Sequence, residues 1–283
     1  MGHPDVGPHF RPGLQRIYAE IAGRYELVNH LLTLGLDIHW RKRAARLAAR
    51  DGGRRWLDVC TGTGEMAENL FRLGRGSVLI TGADMSLPML AQARRKAGLA
   101  SAALVAAECG RLPFRGGAFD LVTIAFATRN LNSQTGDLVH YFREFLRVLA
   151  PGGRLVHLET SQPRPPWLRA LAHGYVRMSV RAVGRLLTGS QAGYGYLARS
   201  IPRFHTAGRL DEILHSSGAE SVERHMLLGG IAAIHVAVKP GAPGHSRPHR
   251  PARDRPIADR AGRRGCARAR GSAPRRGSVH RPP

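Results

Sequence analysis

The chain has 283 residues, with 43 Lys and Arg against 20 Asp and Glu, for a net charge of +23. That length can bury a sizeable core, and three widely spaced cysteines (Cys60, Cys109, Cys266) argue against a disulfide framework or a zinc site. That cysteine usage makes a reducing cytoplasm the expected compartment; no apolar run approaches the ~20 residues that span a bilayer, and the opening Met1-Gly2-His3-Pro4-Asp5-Val6 lacks an apolar signal core.

Residues 1–13 are polar, rich in Pro and Gly, and expected to be flexible. Residues 14–49 carry a helical pattern with Ile17, Ile21, Val28, Leu31, Leu32 and Leu47 as apolar positions. Gly35 should break it into an amphipathic pair docked on a sheet. The pattern leaves Tyr25, Asn29 and Trp40 unexplained. Residues 56–65 are the centre of the chain. Leu57 and Val59 read as a short buried strand, Gly62 and Gly64 as a tight turn, and residues 66–73 as a helix whose free N–H groups face a ligand. Twenty residues past Gly64, Asp84 ends a second apolar run, where a carboxylate can accept hydrogen bonds from a ribose diol. Gly62-Thr63-Gly64-Glu65-Met66-Ala67 fits the G-x-G-x-x-A dinucleotide fingerprint, so a nicotinamide or flavin enzyme is one reading. Glu65 in the first helical turn would repel a pyrophosphate. It suits a cationic cofactor without phosphate, and S-adenosylmethionine (SAM) is one. A glycine turn with no ligand is a third reading.

Ser86 should cap a helix running to Lys96, with Met89 and Leu90 turned inward. Residues 102–107 read as a third strand, ending in Glu108-Cys109, a position suited to an adenine. Residues 119–126 form a near-continuous apolar run, as in a central parallel strand covered on both faces. Arg129 and Asn130 follow at its carboxyl end, where open α/β sheets bind ligands; a surface loop with a solvated Arg is the competing reading. A helix over 137–149, the turn Pro151-Gly152-Gly153 and a strand over 154–159 come next. Residues 160–210 hold eight Arg and no Asp, Glu or Lys, with Arg177, Arg181 and Arg185 on one helix face. This is either a lid that meets anionic lipid headgroups, its apolar side chains toward the substrate, or the solvated face of a packing helix. Thr206 should cap a helix that Gly218 stops. Residues 221–228 and 231–239, joined by Gly229-Gly230, read as an antiparallel pair closing an otherwise parallel sheet, unlike a dinucleotide domain. Residues 241–283 hold twelve Arg and two Asp with almost nothing to bury, and are expected to be disordered. They offer no aromatic residue for stacking, so no specific nucleic-acid partner is expected.

Two stretches carry a resemblance. Tyr25-Glu26-x-x-Asn29-x-x-x-Thr33-x-Gly35-x-x-x-x-Trp40 and Arg147-Val148-Leu149-x-Pro151-Gly152-Gly153-Arg154-Leu155-x-x-Leu158-Glu159-x-Ser161 resemble the two signatures of the ubiquinone/menaquinone-biosynthesis C-methyltransferases. Leu112-Pro113-Phe114, Phe119-Asp120, Arg129-Asn130, Tyr194-x-Tyr196-Leu197 and Gly230-Ile231-x-x-Ile234-His235 fall in the family's order.

The resemblance covers residues 14–239. It implies an α/β, Rossmann-like SAM-dependent methyltransferase fold in a domain over 14–240. The sheet would be mostly parallel and seven-stranded, with an antiparallel C-terminal strand and a helical lid insertion at about 162–200. It further implies C-methylation of a polyprenylated quinol ring, demethylmenaquinol before other acceptors. SAM would lie against Asp58, Gly62, Thr63, Gly64, Asp84, Met85, Glu108, Cys109 and Ala125. Arg129 would orient the quinol and stabilise its phenolate, Asn130 would hold the second oxygen, and Tyr25 would cover the ring. The base is unassigned, with Asp84 (through water) and His157 as candidates, and no metal is expected. Expected partners are the prenylated quinol and, transiently, the anionic inner face of the cell membrane, with a homodimer left open. Asp37, Glu65, Glu108, Ala125 and Ala127-Thr128 depart from the family's usual residues. The last pair lies beside the acceptor, so a different small aromatic or lipid acceptor is an alternative. A basic nucleic-acid-binding protein is another.

Overall fold

The computed structural model describes residues 22–51, 53–74, 76–131, 138–187 and 200–241, without the side chains of 51 and 180–187. The flexible N-terminus, the Arg-rich tail from 242 onward, the Tyr194-x-Tyr196 motif and the Arg181 and Arg185 side chains lie outside the described residues.

Seven strands form one sheet: β1 (Arg55–Val59), β2 (Leu79–Asp84), β3 (Ala103–Ala106), β4 (Phe119–Ala125), β5 (Leu149–Thr160), β6 (Ser221–Leu227) and β7 (Ala232–Val238). Their order is β3-β2-β1-β4-β5-β7-β6. β1 pairs in parallel with both β2 and β4, β2 with β3, and β4 with β5. β7 lies between β5 and β6, antiparallel to both. The sequence order reverses between β1 and β4, so loops leaving these two strands diverge and open a crevice at their carboxyl ends.

The helices are α1 (Tyr25–Thr33), α2 (Leu36–Ala48), α3 (Glu65–Gly74), α4 (Leu87–Arg94), the short α5 (Thr128–Leu131), α6 (Leu138–Val148), α7 (Pro166–Leu187) and α8 (Ala207–Ser216). They cover the sheet on both faces. Trp40, Ala44 and Leu47 of α2 pack with Met66, Ala67 and Leu70 of α3 on Trp56, Leu121, Val156 and Ile234. On the other face Phe142, Phe145 and Leu146 of α6 and Leu210 and Leu214 of α8 pack on Leu57, Val59, Val122 and Leu155. The alternation along β4 sends successive side chains to opposite layers, both of them covered, which is why that strand reads as a near-continuous apolar run.

Gly35 separates α1 from α2 as the pattern predicts. Leu34 and Gly35 have φ of 53° and 75°, and the Gly35 N–H donates to the His30 carbonyl at 2.7 Å. Thr206 caps α8 by accepting from the Arg209 N–H at 3.2 Å. Three local expectations change. Pro151-Gly152-Gly153 is taken into β5 rather than preceding it. Phe119 and Leu121 of β4 face Leu149 and Arg154, so the extra residues of β5 bulge out, with Gly152 at φ 71°. The β6–β7 link is a 3-10 turn at Leu228–Gly230, not a two-residue hairpin. Ser86 sits at the N-cap of α4, but its side chain makes no capping bond. Among the described residues, no helix is long and apolar enough to cross a membrane.

Candidate functional site

The loop after β1 is held from three sides. The Thr61 N–H donates to the Ala83 carbonyl (3.0 Å), and the Gly64 N–H to the Thr61 carbonyl (2.9 Å). Asp84 Oδ2 accepts from the Gly62 N–H at 2.9 Å, and its Oδ1 accepts from the Ser86 N–H at 2.8 Å. Gly62 and Gly64 have φ of 56° and 84°. A Cβ on Gly64 would lie 2.5 Å from Leu99 Cδ1, whereas one on Gly62 would meet nothing within 4 Å. Gly64 is therefore required by packing as well as conformation, and Gly62 leaves room in front of its backbone. Burial pushes the Asp84 carboxyl above its ordinary range, against the three backbone N–H groups that favour the charged form.

These residues border a cavity of about 910 Å³, mouth included. Gly62 and Thr63 come from the β1 loop, Asp84 and Met85 from the end of β2, and Cys109 from beyond β3. Ala125 and Asn130 close the β4 side, and Tyr25 of α1 reaches in from the N-terminal pair. Eight of the sequence-predicted site residues thus share one cavity at the crevice. Burial raises the Tyr25 hydroxyl's pKa, while its hydrogen bond with Asn29 and the charges of Arg41 and Arg129 pull the other way.

Four predicted residues do not line the cavity. Asp58, 1% exposed, accepts from Thr61 Oγ1 and Thr123 Oγ1, each at 2.6 Å. It ties the loop to β4 from behind, and burial pushes its carboxyl up to about 6. Gly64 packs away from the cavity against α4 and Leu99. Glu108 is exposed. Arg129 is buried rather than solvated, so the surface-loop reading fails. Its backbone N–H donates to Glu159 Oε2 at 3.2 Å, and its Nη1 lies 3.9 Å from Glu159 Oε1. Its buried Nε has no hydrogen-bond partner among the described residues. His157 is fully buried behind Thr128, away from the cavity. Burial and the neighbouring His235 push its imidazole well below the usual histidine range. The lid reading also changes: no described residue of α7 lines the cavity, and Trp167, Leu171 and Met178 are exposed instead of facing a substrate.

Among the lining residues that sequence reasoning missed, Arg41 and Ser86 bear on the chemistry. Arg41 Nη1 bonds Asp37, its Nη2 lies 3.2 Å from Glu65 Oε2, and its guanidinium carbon stands 4.9 Å from the centre of the Phe126 ring. Its position four residues after Asp37 was the only sequence signal. Ser86 also lines the cavity, and its buried hydroxyl has no partner among the described residues. Glu26, His30 and Glu65 bring donor atoms within 4.8 Å of one another, but Lys96, Asp37 and Arg41 already pair with them.

The donor set fits SAM. A glycine loop offers close backbone approach, Asp84 stands at the tip of β2, and Ser86 supplies an unused hydroxyl. Glu65 lines the cavity where a pyrophosphate would otherwise lie. Its charge is shared with Arg41, which weakens the purely electrostatic part of the argument for a cationic cofactor.

Comparison with known proteins agrees. A SAM-dependent methyltransferase of Thermotoga maritima superposes on the chain with a TM-score of 0.57 at 14% identity, over 80% of this chain and 99% of that one, which speaks to the fold alone. The demethylmenaquinone methyltransferase of Thermus thermophilus is 40% identical over 79% of this chain and all of its own length. That of Deinococcus radiodurans is 37% identical over 83% and 97%. The ubiquinone/menaquinone biosynthesis C-methyltransferase of Desulfotalea psychrophila is 32% identical over 81% and 91%. The profile of the ubiE/COQ5 methyltransferase family matches residues 10–239, the whole domain that carries the cavity, and the chain belongs to that family of SAM-dependent C-methyltransferases.

Proposed function

We propose that the chain methylates a ring carbon of demethylmenaquinol at the inner face of the cell membrane. The observation that carries this reading is Arg129, a buried guanidinium at the carboxyl end of β4 with an unused Nε, beside a cofactor cavity. Relatives named demethylmenaquinone methyltransferases support the naphthoquinol ring. When bound, SAM supplies an electrophilic methyl group that passes to the acceptor by in-line displacement. Asp84, Ser86, Gly62 and Thr63, which line the cavity, would hold it. A ring carbon becomes nucleophilic as its neighbouring hydroxyl ionises. Arg129, permanently charged in a dry site, favours that phenolate without taking its proton. Asn130 holds the second quinol oxygen, and Tyr25 covers the ring and keeps water out. Neither sequence-predicted base fits: both Asp84 oxygens already accept backbone N–H groups, and His157 does not reach the cavity.

The exposed apolar face supports a membrane surface as the source of a prenylated acceptor. Trp167, Leu171 and Met178 stand on one side of α7, with Arg164, Arg169 and Arg177 also exposed. The test is methyl transfer from labelled SAM by the full chain, with demethylmenaquinol or a demethylated benzoquinol in detergent. Label in the naphthoquinol product, and a fall of about a hundredfold in kcat for Arg129→Ala at unchanged cofactor affinity, are expected. Full turnover by that variant would overturn the role of Arg129, and label in neither ring would overturn the substrate.

A further inference from the structure

Directly after β4 the chain turns at a residue poorly suited to turning. Phe126 has φ 57°, yet its N–H still donates to the Leu158 carbonyl of β5 at 2.8 Å. It holds the ladder with one bond and at the same point swings the chain out of the sheet toward α5, where the Asn130 N–H donates back to the Ala127 carbonyl at 2.9 Å. A left-handed conformation presses an L side chain's Cβ against the following carbonyl oxygen, a cost that glycine escapes. Leu34, Cys60 and Leu228 are the other described non-glycine residues with positive φ. Of the four, Cys60 and Phe126 border the cavity, at the carboxyl ends of the paired strands β1 and β4. A bulky aromatic where glycine would relieve strain points to a side chain kept for what it touches.

The ring is steadied by α2. The Arg41 guanidinium carbon stands 4.9 Å from its centre, and the Trp40 ring 6.3 Å away at 41°. Arg41 is itself fixed by Asp37 and Glu65. Half-buried, Phe126 borders the cavity, and among the described lining residues only Tyr25 and Phe126 are aromatic. In the strand order β3-β2-β1-β4, Asp84, Ser86 and Cys109 belong to the β2 and β3 side, and Phe126 to the β4 side with Asn130. The charges of Arg41 and Arg129 both reach the Tyr25 hydroxyl, and Arg41 lies over Phe126, so the two aromatic rings and the two guanidiniums share one end of the cavity.

We propose that Phe126 is a specificity-determining residue, a wall of the acceptor end that favours a fused bicyclic quinol over a single-ring one. This role rests on the C-methylation reading above and names the side chain that would choose the ring. A naphthoquinol carries a second, apolar ring fused to the one that reacts. Arg129 and Asn130 engage oxygens, which both kinds of quinol possess, so neither rewards the added ring. Offset or edge-to-face contact with Phe126 does. A benzoquinol has no such ring and gains less from the same wall.

The experiment uses the full chain and its Phe126→Leu, Phe126→Tyr and Phe126→Gly variants. kcat and KM are measured with demethylmenaquinol and with a demethylated benzoquinol of equal prenyl length, both in detergent. Calorimetry follows binding of short-chain 1,4-naphthoquinone and 1,4-benzoquinone to the chain saturated with S-adenosylhomocysteine. Phe126→Leu should raise KM for demethylmenaquinol about fivefold to tenfold and that for the benzoquinol about twofold at most, with the affinity for S-adenosylhomocysteine as in the native chain. Phe126→Tyr, which keeps the ring, should keep the preference. Leu34 and Leu228 already hold a leucine in this backbone conformation, and Phe126→Gly, which relieves it, decides the matter if Phe126→Leu fails to fold. Equal losses for the two rings, or a loss confined to cofactor affinity, would overturn the role of Phe126. So would native binding that prefers neither ring. A native chain that labels neither quinol, but whose preference for naphthoquinone binding falls in Phe126→Leu, would overturn the substrate reading and leave the aromatic wall standing.

Discussion

Arg41 Nη2 lies 3.2 Å from Glu65 Oε2 while Nη1 of the same guanidinium bonds Asp37, so one side chain ties α2 to the first turn of α3 beside the cofactor loop. Arg41 and Glu65 are 6% and 14% exposed, and burial raises the Glu65 carboxyl against the pull of Arg41. Removing one partner of a buried ion pair leaves an uncompensated charge, which costs more than the pair itself contributes. Arg41→Leu should destabilise the fold by about 3–5 kcal/mol, because it takes the guanidinium from both Asp37 and Glu65 and leaves them to share His30. Glu65→Gln keeps the Asp37 pair and should cost about 1–2 kcal/mol. Urea unfolding of the two variants checks the order; equal losses would mean that Arg41 does not join the two helices.

The two loop glycines should fail differently when replaced by alanine. At Gly64 a Cβ meets Leu99 at 2.5 Å and Ala93 at 3.0 Å in a left-handed conformation. Strain and overpacking add, so Gly64→Ala should cost about 2–4 kcal/mol. At Gly62 the space is open and the conformational cost alone, about 1 kcal/mol, applies. Because Gly62 borders the cavity, its alanine variant should lose SAM affinity while staying folded. Calorimetric titration with SAM beside thermal unfolding separates the two losses. A Gly62→Ala variant with native affinity would show that the backbone there does not approach the cofactor.

Gly62, Gly64 and Asp84 were legible because strand, turn and helix follow one another within a short stretch, and spacing alone puts them at one crevice. The antiparallel end of the sheet was legible for a similar reason: two β-like runs flank a glycine pair. Arg41 was not, since Glu65 and Phe126 come to it only after the sheet has brought distant segments together. The same applies to Asp58, whose strand was read correctly but whose partner Thr123 lies on β4. The outward face of α7 escaped because a mixed apolar and Arg pattern fits a lid and a solvated helix equally; exposure decides it, and exposure depends on what the rest of the chain leaves uncovered.

Asp58 sets a pH dependence with a definite sign. Its folded pKa, up to about 6, stands above the ordinary 3.8, so the folded state binds the proton more tightly. The stability this contributes is full below about pH 4 and is lost as pH rises through about 6. Asp58→Asn removes the titration while leaving a side chain that Thr61 and Thr123 can still meet. Between pH 5 and 7.5 the native protein should therefore lose about 1 kcal/mol relative to the variant. Urea midpoints at the two pH values give the difference directly. Parallel changes in both proteins would place the titration elsewhere.

The exposed face of α7 makes the last prediction. Trp167, Leu171 and Met178 are 69%, 65% and 70% exposed, and Leu27 and Leu31 of the neighbouring α1, with Leu34 just after it, are also uncovered. Apolar side chains of this size gain roughly 1.5–3 kcal/mol each when fully removed from water, and an interfacial helix realises only part of it. Arg164, Arg169 and Arg177 add attraction to anionic lipid that salt screens. The full chain should float with vesicles that contain phosphatidylglycerol, and less so as ionic strength rises. A triple Trp167→Ser, Leu171→Ser, Met178→Ser variant should partition at least tenfold less at every salt concentration, because it removes the apolar part and keeps the Arg residues. None of the three lines the cavity, so SAM titration checks that the variant is folded. Salt-sensitive flotation that the triple variant retains in full would assign membrane binding to the Arg-rich segments alone, and leave α7 without a part in drawing a prenylated acceptor from the bilayer.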